Sequence, residues 1–165
     1  MRVENPAALR FIIDEDLYLL NNDKHAPTIP ASPLVETPTA EFKYMGDNKK
    51  SFLIIVHYAD KEFIDDAHLI ALENILKRKE LYLDDVAILN IARHNHIPYE
   101  EIITYFKPGK LLLMGEKTLP QTISNLVLNQ PKQLADCLAL YSFSFDEMMT
   151  SNENKRVFWE QMKTL

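Results

Sequence analysis

The sequence is poor in the residues from which most catalytic centres are assembled. Among its 165 residues there is one cysteine, Cys137, and only three glycines, Gly46, Gly109 and Gly115. A single cysteine excludes an intramolecular disulfide and any iron–sulfur cluster held by four cysteines of this chain. Set in the apolar stretch LADCLALYSF, it reads as a buried structural thiol rather than a reactive one. So few glycines exclude a phosphate-cradling loop of the nucleotide-binding types. Neither a Gly-x-Ser-x-Gly elbow nor a convincingly spaced Cys-His pair is present. Positive charge is scarce as well: 18 Lys and Arg stand against 24 Asp and Glu, a formal net charge of −6. That balance counts against strong nonspecific binding to nucleic acid, because neutralising phosphates takes clustered cations. No apolar run approaches the roughly 20 residues of a membrane span, and no basic segment followed by an apolar signal core opens the sequence. The expectation is a cytoplasmic protein.

What is present is the balance of a globular chain, 47% hydrophobic and 25% charged residues, with length for one domain. Residues 6–20, PAALRFIIDEDLYLL, place Leu9, Ile12, Ile13, Leu17 and Leu20 at helical spacing, with Tyr18 among them. Then Pro27, Pro30, Pro33 and Pro38 each remove a backbone donor, and the stretch reads as a semi-stiff tether. Residues 1–48 are thus expected to be an apolar peptide plus proline-rich linker, and 49–165 a compact domain. In that domain SFLIIVHY, VAILNIA, KLLLMGE and LADCLALYSF read as four strands, the first two as strands buried on both faces. AHLIALENILKR, IPYEEIITYF and the segment from Pro120 supply the intervening helices, and the final DEMMTSNENKRVFWEQMKTL a loop and the terminal helix. The alternation predicts a three-layer α/β/α fold with a central, mostly parallel, four-stranded sheet.

Single residues carry modest signals. His57 lies at the end of the first strand, where α/β sheets place their ligand crevice, and could be a base or a phosphate contact, but it reads first as a hydrogen-bonded structural histidine. His94 and His96 are close in sequence, yet no third ligand stands at short spacing, and no metal or other cofactor is expected. Asp65 and Asp66 suit an N-cap and a first-turn acid. Lys77, Arg78 and Lys79, and Lys155 with Arg156, are the only dense cations and read as solvated helix positions. Phe158 and Trp159 are expected to pack the last helix on the sheet.

The last twenty-five residues carry a resemblance. Lys155, Arg156, Trp159 and Met162 match the Lys-Arg-x-x-Trp-x-x-Leu/Met helix that closes the uracil-DNA-glycosylase-like domains. Ser142 and Phe143 stand where that family carries the His and Pro of its catalytic loop. The order of segments from Ser51 onward resembles the family-four glycosylases, which implies their fold. Where that family has a Gly-Glu-x-Pro-Gly type loop, this chain has Val56-His57-Tyr58-Ala59-Asp60, with Tyr58 at the carboxylate position and both glycines absent. Asn90, in Leu89-Asn90-Ile91-Ala92-Arg93, is the one base-pocket residue retained, and the family's cluster-binding cysteines have no counterpart. The candidate crevice therefore consists of His57, Tyr58, Asp60, Asn90 and Ser142.

A second resemblance covers the N-terminal part. An apolar peptide, a tether and a compact α/β domain are also the arrangement of the bacterial DNA polymerase III psi subunit, a non-catalytic protein joined to the clamp loader through such a peptide. The resemblance implies a protein–protein interaction module with Leu9, Ile12, Ile13, Leu17, Tyr18 and Leu20 as docking residues, a clamp-loader or other replisome component as partner, and weak or no direct nucleic-acid binding. The alternative is a divergent uracil-DNA glycosylase or nucleotide-binding relative whose carboxylate has moved to Asp60 or Glu116. It requires a concave pocket at the strand ends, whereas a crevice closed by Tyr58 and Phe143 favours the interaction module.

Overall fold

The computed structural model describes residues 41–121, 123 and 125–165, all within one compact unit, Thr39–Leu165. Five strands form one sheet: β1 (Phe52–Val56), β2 (Val86–Asn90), β3 (Lys110–Met114), β4 (Lys132–Leu134) and β5 (Cys137–Ser142), in the order β2-β1-β3-β5-β4. The first three neighbour pairs are parallel and only β4 runs antiparallel, against β5. The expected count of four strands is thus one short. The extra strand is three residues long, lies at the edge and is largely exposed, so it has none of the apolar run that marks β1 and β2.

Among the described residues four helices cover the sheet: α1 (Asp66–Lys77), α2 (Tyr99–Phe106), α3 (Phe145–Thr150) and α4 (Asn152–Met162). Strand side chains alternate between faces, and the core divides accordingly. Phe52, Ile54, Val56, Ile88 and Leu112 meet Leu72 and Leu76 of α1, Phe145 and Met148 of α3, and Phe158 and Met162 of α4. Leu53, Ile55, Leu89, Leu111 and Leu113 meet Ile102 and Phe106 of α2 together with Phe42. Cys137 lies in this second layer, where burial pushes its thiol up to about 11. No described helix is long and apolar enough to cross a membrane.

Two further expectations are corrected. The segment from Pro120 supplies no α-helix among its described residues; a single 3-10 turn, Glu116–Thr118, precedes it, and Leu119 and Leu126 lie on the α2 face. The packed domain also starts before residue 49. Phe42 is only 5% exposed, and Met45 and Ile88 exchange backbone hydrogen bonds of 2.9 and 2.8 Å. This strip covers the outer edge of β2, which would otherwise present unpaired backbone groups. Gly46 permits the approach: its φ is +94°, and a Cβ there would lie 2.2 Å from the Val86 carbonyl oxygen.

Helix starts follow local chemistry. The Asp65 carboxylate caps α1 by accepting from the Ala67 amide at 3.0 Å. Ser144 and Glu147 form a reciprocal capping box that starts α3. At the other end of α1, the Lys79 ammonium donates to the Met162 carbonyl at 2.7 Å and so closes the C-terminus of α4.

Candidate functional site at the strand ends

The chain leaves β1 toward α1 on one face of the sheet and leaves β3 toward Leu119 and Leu126 on the other. The C-terminal ends of these adjacent strands therefore form the topological switch point, where open α/β sheets bind ligands. Of the sequence-based candidates at these strand ends, Asn90 and Ser142 are buried and engaged, and Tyr58 is turned inward.

Asn90 ends β2 and is fully buried. Its Oδ1 accepts from the amides of Tyr58 at 2.9 Å and Ala92 at 3.2 Å. Its Nδ2 donates to the carbonyls of Tyr58 at 2.8 Å and Lys61 at 2.9 Å, with Glu62 at 3.4 Å. A carboxamide has two acceptor sites and two N–H donors, so its whole capacity is spent on holding the loop after β1 and on capping the Ile91–Arg93 turn that follows β2. Ser142 is equally buried, and its hydroxyl donates to Asn129 Oδ1 at 2.6 Å. Its carbonyl accepts from Gly115 N at 2.9 Å, and a Cβ on Gly115, whose φ is +91°, would come within 3.0 Å of Ser144 Cβ. The loop after β5 thus lies directly on the end of β3.

Register sets the distance between these two residues. Asn90 pairs with Val56, and Ser142 with Met114, one residue beyond the Ile55–Leu113 pairing of β1 and β3. Three strand spacings separate them, roughly 14 Å at about 4.8 Å each. That is too far for both to grip one base.

Tyr58 turns inward. Its hydroxyl lies 2.8 Å from His68 Nδ1, and its side chain packs against the core. Burial first, then the Asp146 and Asp65 carboxylates, raise the phenol above its ordinary range, so it stays protonated near neutrality. His68, on α1, stacks on Phe145 at 5.4 Å with a 15° interplanar angle, and its Nε2 is 3.8 Å from the Asp146 carboxylate. Tyr58, His68 and Phe145 therefore clasp the end of β1, α1 and α3 together. Sequence reasoning missed His68, because its partners stand ten positions before and seventy-seven after it and leave no local pattern.

The other candidates stand apart. His57 is partly exposed, and Asp60 and Glu116 are exposed. His94 packs on Phe42 at 5.4 Å, His96 is exposed, and no group of three metal-ligating side chains occurs among the described residues. Leu9, Ile12, Ile13, Leu17, Tyr18 and Leu20 lie outside the described residues. Hydrolysis of a glycosidic bond needs a carboxylate to place water and free donors to receive charge on the departing base. Here the amide and hydroxyl at the strand ends are committed to the backbone and to Asn129.

Among the described residues three carboxylates are held below their usual range. The Ala67 amide and Lys61 do this for Asp65, the Tyr82 amide and Lys50 for Asp85, and the Ser144 amide and hydroxyl for Glu147. Their folded pKa values are lower than in the unfolded chain, so the native state binds fewer protons. Their stabilisation is present above the unfolded values, near pH 4, and is lost as pH falls through the folded ones. Calorimetric melting temperatures are expected to be level from neutrality to about pH 5 and to drop below about pH 4. Asp65→Asn should flatten part of that acid limb.

No protein-family model matches this chain, and no curated protein matches it at a significant level.

Proposed function

We propose that this chain is a non-catalytic protein–protein interaction module, a psi-like accessory subunit of a bacterial replicative polymerase's clamp loader, built on a glycosylase-like scaffold. Residues 5–20 are its docking peptide. The observation that carries the reading is the saturation of Asn90: the one base-pocket residue retained in the sequence spends every donor and acceptor on backbone groups of the loops after β1 and β2. Ser142 is likewise engaged, and Tyr58 and Phe143 pack onto the core, which supports the interaction module over the glycosylase reading. A parallel four-strand core, β2-β1-β3-β5, and a terminal helix anchored by Phe158 and Met162 are in keeping with the glycosylase-like scaffold.

The test is calorimetric titration of purified clamp-loader and single-strand-binding proteins of the source organism into the intact chain and into a variant with Ile12→Asp and Leu17→Asp. Binding by the intact chain, weakened at least about tenfold in the variant, is the expected result for an apolar peptide anchor. Absence of binding by the intact chain would overturn the proposal.

A further inference from the structure

Away from the strand ends, α1, α3 and α4 leave an apolar groove of about 210 Å³ between them. Ile75, Met148, Met149 and Trp159 form much of its floor, and Met149 is 49% exposed. Two cations stand at its rim, Arg78 from the end of α1 and Lys155 from α4. They come from the two basic runs that the sequence places 77 positions apart. The Arg78 guanidinium lies over the Trp159 ring, 5.4 Å from its centroid. Their neighbours are neutralised, Arg156 by Glu153 at 3.3 Å and Lys163 by Glu160 at 2.9 Å, whereas the groove lining includes no carboxylate. The chain is acidic overall, with a net charge of −6, so the sign here is locally reversed.

We infer that this groove binds an amphipathic segment of a partner protein, with apolar anchors seated between the helices and carboxylates meeting Arg78 and Lys155. The inference rests on the interaction-module reading and adds a surface separate from residues 5–20. Thioether side chains adapt to varied apolar anchors. An unpartnered apolar floor with a cationic rim matches a helix-in-groove mode of recognition with anionic flanks. Nucleic acid fits less well, because phosphates need many cations and this floor is mainly apolar.

The test uses the full chain with methionine methyl groups labelled for NMR. The probe is a synthetic amphipathic peptide with leucine anchors and glutamates between them. It is expected to shift the Met148 and Met149 methyl and Trp159 indole signals saturably. Affinity should fall about tenfold or more with Arg78→Glu plus Lys155→Glu, and similarly with Met149→Asp; these are exposed positions that the fold tolerates. Four results would each overturn the inference: no shift, equal binding by the same peptide carrying lysines in place of glutamates, the same shifts from a thymidine oligonucleotide, or shifts that track the chain's own concentration because a second copy fills the groove. The groove variants leave residues 5–20 intact. A silent groove in a chain that still binds clamp-loader proteins refutes this inference alone, and a responsive groove in a chain that binds none of them overturns the clamp-loader proposal and leaves the groove standing.

Discussion

Replacing Asn90 with alanine is expected to destabilise the domain by about 3 to 4 kcal/mol in equilibrium urea unfolding. The side chain is fully buried, and its loss strands the amides of Tyr58 and Ala92 and the carbonyls of Tyr58 and Lys61. Each unsatisfied group costs on the order of 1 kcal/mol where it is partly buried. Asn90→Asp should be no better tolerated, because it keeps the acceptors but turns a carboxylate oxygen toward two carbonyls. By contrast, His57→Ala and Asp60→Ala, at partly exposed and exposed positions, should remain within about 0.5 kcal/mol of the parent. A neutral Asn90→Ala would mean that the side chain is available to a ligand after all.

The second large effect is expected at the terminal helix. Phe158 is 2% exposed and sits in the core with Leu72, Phe145 and Met162, so Phe158→Ala should cost about 3 to 5 kcal/mol with the urea dependence unchanged. Trp159→Ala should cost clearly less, about 1 to 2 kcal/mol, because that ring is only partly buried and carries Arg78 on one face. The adjacent aromatics divide the work: one holds the helix to the sheet, the other faces the groove. Equal costs would contradict that division.

Much of the framework is legible in the residues themselves. The uninterrupted apolar runs in Phe52–Val56 and Val86–Asn90 mark strands buried on both faces, and the spacing of Leu72 and Leu76 marks the face that α1 buries. Asp65 before an apolar helical pattern reads directly as a cap, and it is one. The edges of the fold are another matter. Strand β4 is a polar triplet whose pairing depends on β5, and Phe42 is buried through contacts with Tyr105 and Phe106, over sixty positions away. Helix α3 falls in a stretch read as a loop, although its Ser144-x-x-Glu147 capping box was a local signal that could have separated it from α4.

For the candidate residues, location at strand ends was legible and the state of each side chain was not. Strand order places His57, Tyr58, Asn90 and Ser142 along one edge of the sheet, as their location at strand ends implies. Whether a buried amide is free or spent depends on partners 28 to 32 residues away, and no local pattern encodes that. For the same reason the convergence of Arg78 and Lys155 on one groove is invisible in two runs that each look like a solvated helix face.

The central claim is that the strand ends serve as scaffold and that this chain acts through protein contacts. Its most direct test is an NMR titration of the intact chain with uracil-containing single-stranded DNA, following the backbone amides of His57 and Tyr58 and the side-chain amide of Asn90, with release of free uracil measured in the same samples. The expected result is no saturable shift at these groups and no released base. Saturable shifts at Asn90, or uracil release that is lost in Asp60→Asn, would contradict the account and restore the crevice as an active site.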